Sequence, residues 1–287
     1  MGKESKVGWL VLLGKLGPKL FTVFLKIWKT AKVGKVGLVA ASAASYAYMF
    51  TWQFAAVILV SLFVHESGHA WAMKRCGMQV KGMYFIPFLG AAVVSEGSFK
   101  SRWGEAFIAL AGPVWGMALA IAAAVVYETT GEPMWAALAG WMAMLNLLNL
   151  LPVNPLDGGR VWKSVAFSIN TKAGLMMLFG GTLIAAGAAF LLNSVLFGVL
   201  AIIGGLELWV ERKKELKARM QAEVSPESEE EVLEAYGVEN EMPVMTKLEL
   251  AVTVAAYFTV AGTLFYVMDV MSHEPGAELA KQVLVDK

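Results

Sequence analysis

Long charge-free runs separated by short basic clusters dominate the chain. No Asp, Glu, Lys or Arg falls within residues 36–64, 106–127, 133–156, 173–206 or 250–268. A charge at bilayer mid-depth costs about 3 kcal/mol or more, so such runs predict membrane-crossing helices. About 20 apolar residues cross roughly 30 Å of hydrocarbon. Runs 106–127 and 250–268 are therefore one span each, and 133–156 is one span broken at its end by Pro152 and Pro155. Run 173–206 is too long for one helix at about 1.5 Å per residue and predicts a helical hairpin turning near Asn193 and Ser194. Run 36–64 continues past His65 to Met73 and predicts two helices with a turn near Thr51, Trp52 and Gln53. The expectation is an all-α polytopic membrane protein with about seven transmembrane helices, six being the alternative. Residues 82–95 are apolar but too short to span, and Pro87 and Gly90 interrupt them. They predict a short membrane-inserted β-hairpin or re-entrant loop, which is tolerated at that depth only against protein or a wet cavity.

Charge supplies the orientation. Residues 1–35 hold eight lysines and one acid, and Lys74, Arg75, Lys81, Lys100, Arg102, Arg160, Lys163 and Lys172 fall on the same side if seven spans follow a cytoplasmic N-terminus. The opposite loops then carry Glu128 and Glu132 and no Lys or Arg, as the positive-inside rule requires. Residues 9–28 mix Leu, Phe and Trp with lysines and predict an interfacial amphipathic helix, not a cleaved signal peptide. The organisation expected is a basic interfacial segment (1–35), a membrane-embedded domain (36–210), a cytoplasmic polar segment (211–247), a C-terminal transmembrane helix (248–270) and a tail (271–287). No internal repeat or low-complexity tract is visible. The composition is 57% hydrophobic and 16% charged with a net charge of +1, which excludes a disordered or nucleic-acid-binding chain. A lone cysteine, Cys76, rules out an intrachain disulfide and reads as an inert thiol.

Two of the three histidines lie four residues apart in HESGH, residues 65–69, at the end of an apolar helix. Positions i and i+4 share a helix face, so both imidazoles can reach one metal. Glu66 stands beside the first and can take a proton from an activated water. Ionisable groups in such a segment are costly unless they bind something. Catalytic zinc takes three protein ligands and one open position. His273 lies beyond the last span, so the third ligand is expected to be a carboxylate, and Asp157 is the best placed.

HESGH followed two spans later by Asn149-x-x-Pro152 and Leu156-Asp157-Gly158 resembles the site-2 protease family of intramembrane zinc metalloproteases. The resemblance covers about residues 54–170. It implies one catalytic Zn2+ held by His65, His69 and Asp157, Glu66 as the catalytic base, and the 82–95 segment as the family's membrane-inserted hairpin. The implied activity is hydrolysis of peptide bonds within or beside transmembrane segments of other membrane proteins. Its output would be release of a membrane-tethered factor, or removal of an anti-sigma factor or signal-peptide remnant. The active site would face the cytoplasmic side. Two departures stand out: Asn154 where many members have proline, and Gly116 where many have asparagine. No CBS or PDZ regulatory domain is recognisable.

Candidate substrate contacts are Asn149, Asn154, Phe85 and Phe88, the last two by pairing of the hairpin with an unwound substrate strand. Asn146 fits either interhelix bonding or substrate positioning. Ala109, Gly112 and Gly116 read as helix packing, Glu96 and Glu105 as interfacial, and Arg160 as a cytoplasmic anchor. The partners expected are a transmembrane substrate and the bilayer, with no nucleic acid; oligomeric state is not legible. The alternatives are a metal-binding membrane transporter, which should show paired broken helices, and an inactive family member acting as a membrane chaperone.

Overall fold

The computed structural model describes residues 31–49, 51–86, 90–224 and 242–275. The interfacial helix expected over residues 9–28, Phe88, the outer tail and the middle of the 211–247 segment lie outside these residues. Helix α1 spans Ala31–Met49 and α2 spans Trp52–Arg75. The predicted break between them is in place, and Thr51 caps α2 by accepting from the Phe54 N–H at 3.3 Å. Lys74 and Arg75 close α2 at its negative dipole end.

An antiparallel hairpin follows, β1 Gln79–Ile86 and β2 Gly90–Glu96, in register from Gln79 opposite Glu96 to Ile86 opposite Gly90. A bulge lies between Val80 and Gly82, and Lys81 pairs with Glu96. The expectation of a short β element in residues 82–95 is borne out, extended by a few residues into the polar flank.

Helix α3, Arg102–Thr130, starts on a Ser101 cap and ends at Gly131, whose φ of 68° is the left-handed stop that favours glycine. Helix α4, Pro133–Asn149, opens on proline at its first turn, where the missing N–H is not needed. An irregular segment, residues 150–156, leads into α5, Asp157–Ile169. Helix α6, Thr171–Leu191, and α7, Val195–Val224, form the predicted hairpin, turning at Leu192–Ser194 with Asn193 at φ 49°. Helix α8, Lys247–His273, opens on a Thr246/Glu249 capping box.

Among the described residues, four helices are long and apolar enough to cross a membrane: Phe54–Arg75 within α2, then α3, α6 and α8. The larger expected count is not reached by this measure. Helix α4 stops at 17 residues, about 26 Å, because the chain leaves the helix before Pro152. Helix α7 does not end with its apolar run: it carries Glu207 and continues through Glu211–Lys217 to Val224, into the stretch expected as a separate polar segment. Helix α5 was not foreseen as a separate element.

Small residues let the helices approach. Ala109, Ala120 and Ala123 of α3 meet Ala136, Ala139 and Ala143 of α4 in one core, closed by Tyr257, Val260, Leu264 and Val267 of α8. Gly68 of α2 lies so close to the Ala111 carbonyl and Trp115 of α3 that a Cβ would overlap them. This contact fixes the HESGH turn of α2 against α3.

Candidate metal centre

Four helices or their ends deliver the polar groups of HESGH and its surroundings to one place. His65, Glu66 and His69 come from α2 and Asp157 from the first turn of α5, and each is under 9% exposed. His65 Nε2 and Asp157 Oδ2 are 2.9 Å apart, His69 Nε2 and Asp157 Oδ2 3.2 Å, and the two Nε2 atoms 3.1 Å. The N-x-x-P…L-D-G segment therefore meets HESGH, as the motif pairing requires.

The outer nitrogens fix the tautomers. His65 Nδ1 is 2.8 Å from Asn146 Oδ1, and His69 Nδ1 is 2.7 Å from the Ile108 carbonyl. Asn146 Nδ2 donates to Met142 O of its own helix at 2.8 Å, so its oxygen must be the atom facing His65. Both partners are acceptors, so both Nδ1 atoms carry the proton and both Nε2 lone pairs face inward. Pro113 lies in the next turn of α3 and cannot donate to Ala109 O, the carbonyl after Ile108.

Three inward lone-pair donors at these separations repel one another unless a cation or proton lies between them. Around a tetrahedral zinc with bonds of about 2.0–2.1 Å, neighbouring donors stand about 3.3 Å apart. The observed 2.9–3.2 Å is close to that, and two imidazoles with one carboxylate are a zinc donor set. Among the described residues, this is the one group of three or more His, Cys, Asp or Glu side chains arranged for a metal. Glu66 lies within electrostatic reach of His65, His69 and Asp157, with the Val93 main chain of β2 against it.

Glycine lets α3 approach the centre closely. A Cβ on Gly112 would overlap His69 and His65 at their Nε2 edge, and one on Gly116 would overlap the Asn146 carboxamide. These residues serve helix approach, as expected, but the approach is onto the site itself. The space a side chain at position 116 would take is filled by Asn146. Gly158 and Gly159 lie against the main chain of Leu150, Leu151 and Val153, where any side chain would collide.

The remaining candidates fall as follows. Phe85 is buried on β1. Asn149 is half-buried on the last turn of α4, and its side chain makes no hydrogen bond among the described residues. Asn154 is buried: its Nδ2 donates to Glu207 Oε2 at 2.5 Å, and its Oδ1 has no partner among the described residues. Arg160 lies over the Phe99 ring at 5.1 Å. Burial pushes the Cys76 thiol up, against a smaller opposing effect of Lys100, consistent with an unreactive thiol. His273 bonds Asp269 O on its own helix, far along the chain from the centre.

Glu105 has a role the sequence did not show: it is 1% exposed, held by Lys163 at 2.7 Å and Ser164 at 2.9 Å, with Arg102 at 3.7 Å. Lys163 also bonds Glu207 at 2.9 Å, which makes a chain of charge from α3 through α5 to α7. Burial alone would lower the Lys163 pKa, but Glu105 and Glu207 outweigh it and raise it, so the ammonium stays charged. Lys163 and Glu207 carried no signal in the sequence beyond the apolar context of Glu207.

Residues 53–133 match the model of Peptidase family M50. The chain is 30% identical over 160 residues to zinc metalloprotease MJ0392 of Methanocaldococcus jannaschii, covering 52% of this chain and 44% of that protein. It is 28% identical over 110 residues to stage IV sporulation protein FB of Bacillus subtilis, covering 36% and 37%. The chain thus spans less than half the length of these relatives. A solved site-2 protease from Methanocaldococcus jannaschii aligns over 61% of this chain and 86% of its own, at 21% identity and a TM-score of 0.43. The matched peptidase family and the zinc metalloprotease relative are of the class that HESGH implies.

Proposed function

We propose that this chain, whose residues 53–133 match Peptidase family M50, is an intramembrane zinc endopeptidase that cleaves transmembrane segments of other membrane proteins. The single observation that carries the reading is the convergence of His65 Nε2, His69 Nε2 and Asp157 Oδ2, beside Glu66, at the end of an apolar helix. The match to the peptidase family and to a zinc metalloprotease supports the same class. In this reading the chain crosses the bilayer about seven times, with its N-terminus and active site towards the cytoplasm, as the lysine and arginine distribution favours.

His65, His69 and Asp157 would hold the zinc, which when bound polarises a carbonyl and lowers the pKa of water to about 7. Asn146 and Ile108 O keep both Nε2 atoms unprotonated for that task. Glu66 accepts the proton of the attacking water and returns it to the leaving amine. Gly112 keeps a side chain off the Nε2 atoms that would hold the metal. A substrate helix must first unwind, because its carbonyls are otherwise bonded internally. The hairpin, with Phe85 and Phe88, would receive the extended strand beside Glu66. The free carboxamide of Asn149 and the free Oδ1 of Asn154 would bond its main chain.

The test is a transmembrane reporter expressed with wild type and with Glu66→Gln. Cleavage is expected to disappear while bound zinc persists, and zinc should drop in Asp157→Ala. Equal cleavage by wild type and Glu66→Gln would overturn the protease reading. A transporter is disfavoured because the one irregular break beside an ionisable ligand, at residues 150–156, has no counterpart among the described residues.

A further inference from the structure

Asp157 reaches the histidines from the end of a segment with no regular structure, so something must hold that segment in place. Residues 150–156 leave α4 at Leu150 and enter α5 at Asp157. Their internal bonds are local, Val153 N to Leu151 O and Leu156 N to Val153 O. Such turns do not by themselves set where a carboxylate ends up relative to a different helix.

Both ends of the segment are bonded from helices beyond the 54–170 stretch that carries the motifs. At its start, the Leu150 carbonyl has run out of helical donors, and the Tyr257 hydroxyl of α8 donates to it at 2.5 Å. Tyr257 is buried, with its ring edge-on to Trp162 of α5 at 5.3 Å. Near its end, Glu207 of α7 accepts from Asn154 Nδ2. Glu207 is itself clamped by Lys163 of α5, the helix whose first residue is Asp157. The main chain is wedged as well: Gly181 of α6 lies against Pro152 O, and Gly204 of α7 close to Asn154 O. Leu150 and Val153 are almost fully buried between these helices.

We propose that Glu207 and Tyr257 are positioning residues that pin the two ends of the 150–156 segment and thereby hold the Asp157 carboxylate opposite His65 and His69. The proposal rests on the reading of those three residues as a zinc site. Neither side chain touches the three donor atoms; each acts through a main-chain or amide contact. The acceptor on Glu207 matters more to Asn154 than its charge does, so glutamine in its place keeps the bond and leucine loses it.

The experiment uses the full chain in detergent, stripped of metal, with zinc affinity read by competition against a chromophoric chelator. Thermal unfolding of the metal-free form is followed in parallel. Tyr257→Phe, which removes one oxygen, and Glu207→Leu should each weaken zinc binding about 10- to 100-fold, the range found when outer partners of metal ligands are lost. Glu207→Gln should stay within about threefold of wild type, showing rescue by an acceptor. Leu264→Ala on α8, buried in the helix core, should lower the unfolding temperature and leave zinc affinity unchanged. Wild-type zinc affinity in both Tyr257→Phe and Glu207→Leu would overturn the proposal. So would an equal loss in Leu264→Ala, which would make the effect one of general stability. A wild type that holds no zinc, or an Asp157→Ala that binds as wild type does, would overturn the metal reading and this proposal with it.

Discussion

Asn146 and Gly116 form a coupled pair whose disruption can be worked out in advance. Asn146→Leu keeps the volume and removes the acceptor for His65 Nδ1, 2.8 Å away. The Nδ1–H is then buried without a partner, at a cost of about 1–3 kcal/mol. The imidazole can escape that cost by moving its proton to Nε2, the atom that faces Asp157 and His69, which blocks it as a ligand. Binding metal at Nε2 returns the proton to the unpartnered Nδ1, so this escape charges about 1–3 kcal/mol against metal binding, or about 5- to 150-fold in affinity. Gly116→Ala reaches the same end from α3, because its Cβ occupies the carboxamide's place and drives Asn146 off His65. The decisive measurement is a double-mutant cycle on zinc affinity with Asn146→Ala, which empties that space. Alone, each change should weaken binding by at least fivefold; combined, they should be no worse than Asn146→Ala by itself, since nothing is left to displace. Additive losses in the double variant would refute the reasoning, as would an Asn146→Leu protein that binds zinc within twofold of wild type.

Two further outcomes follow from the same geometry. Gly112→Ala places a methyl at the Nε2 edge of both histidines, so bound zinc and reporter cleavage should both fall below detection while the helical circular dichroism is kept; full zinc content would contradict the close approach of α3. Lys163→Met removes the close cation from buried Glu105 and half-buried Glu207, leaving Glu105 only Arg102 at 3.7 Å, and should cost about 3 kcal/mol in detergent unfolding, part of it recovered by adding Glu105→Gln. Because the Lys163 pKa is raised, its contribution is complete below the free-lysine value of about 10.4 and fades only as pH rises beyond the folded value. A difference between wild type and Lys163→Met that vanished between pH 6 and 8 would therefore contradict the pairing.

Much of the arrangement was legible because the bilayer and the metal both impose simple patterns. Charge-free runs pointed to turns near Thr51–Gln53 and Asn193–Ser194 and to a short β element in residues 82–95, within a few residues of the helix breaks and strands observed, since each interruption needs proline, glycine or polar residues at the right spacing. The i, i+4 spacing of His65 and His69 and the isolation of Asp157 in an apolar tract pointed to the cluster that the fold assembles. What stayed hidden depends on partners distant in sequence. Glu105 and Lys163 look like ordinary interfacial charges until α3 and α5 bring them together. Glu207 looks like the end of a span until α7 is seen to run on past it. The His69 partner is a backbone carbonyl, which no side chain advertises. Helix α5 escaped notice because the Asp157–Gly158–Gly159 start disfavours a helix locally and only close packing on residues 150–153 makes it worthwhile.

The filling of the Gly116 space by Asn146 bears on how relatives of this chain should vary. Position 116 lies on α3 and position 146 on α4, thirty residues apart, yet one volume serves both. A side chain at 116 and a carboxamide at 146 exclude each other, so neither position can drift alone. Across related chains the two columns should change in concert: asparagine or another bulky residue at the first only where the second is small, and glycine at the first wherever the amide comes from the second. Judged one column at a time, Gly116 looks like a lost polar residue; judged as a pair, the space at 116 is filled by the amide of 146.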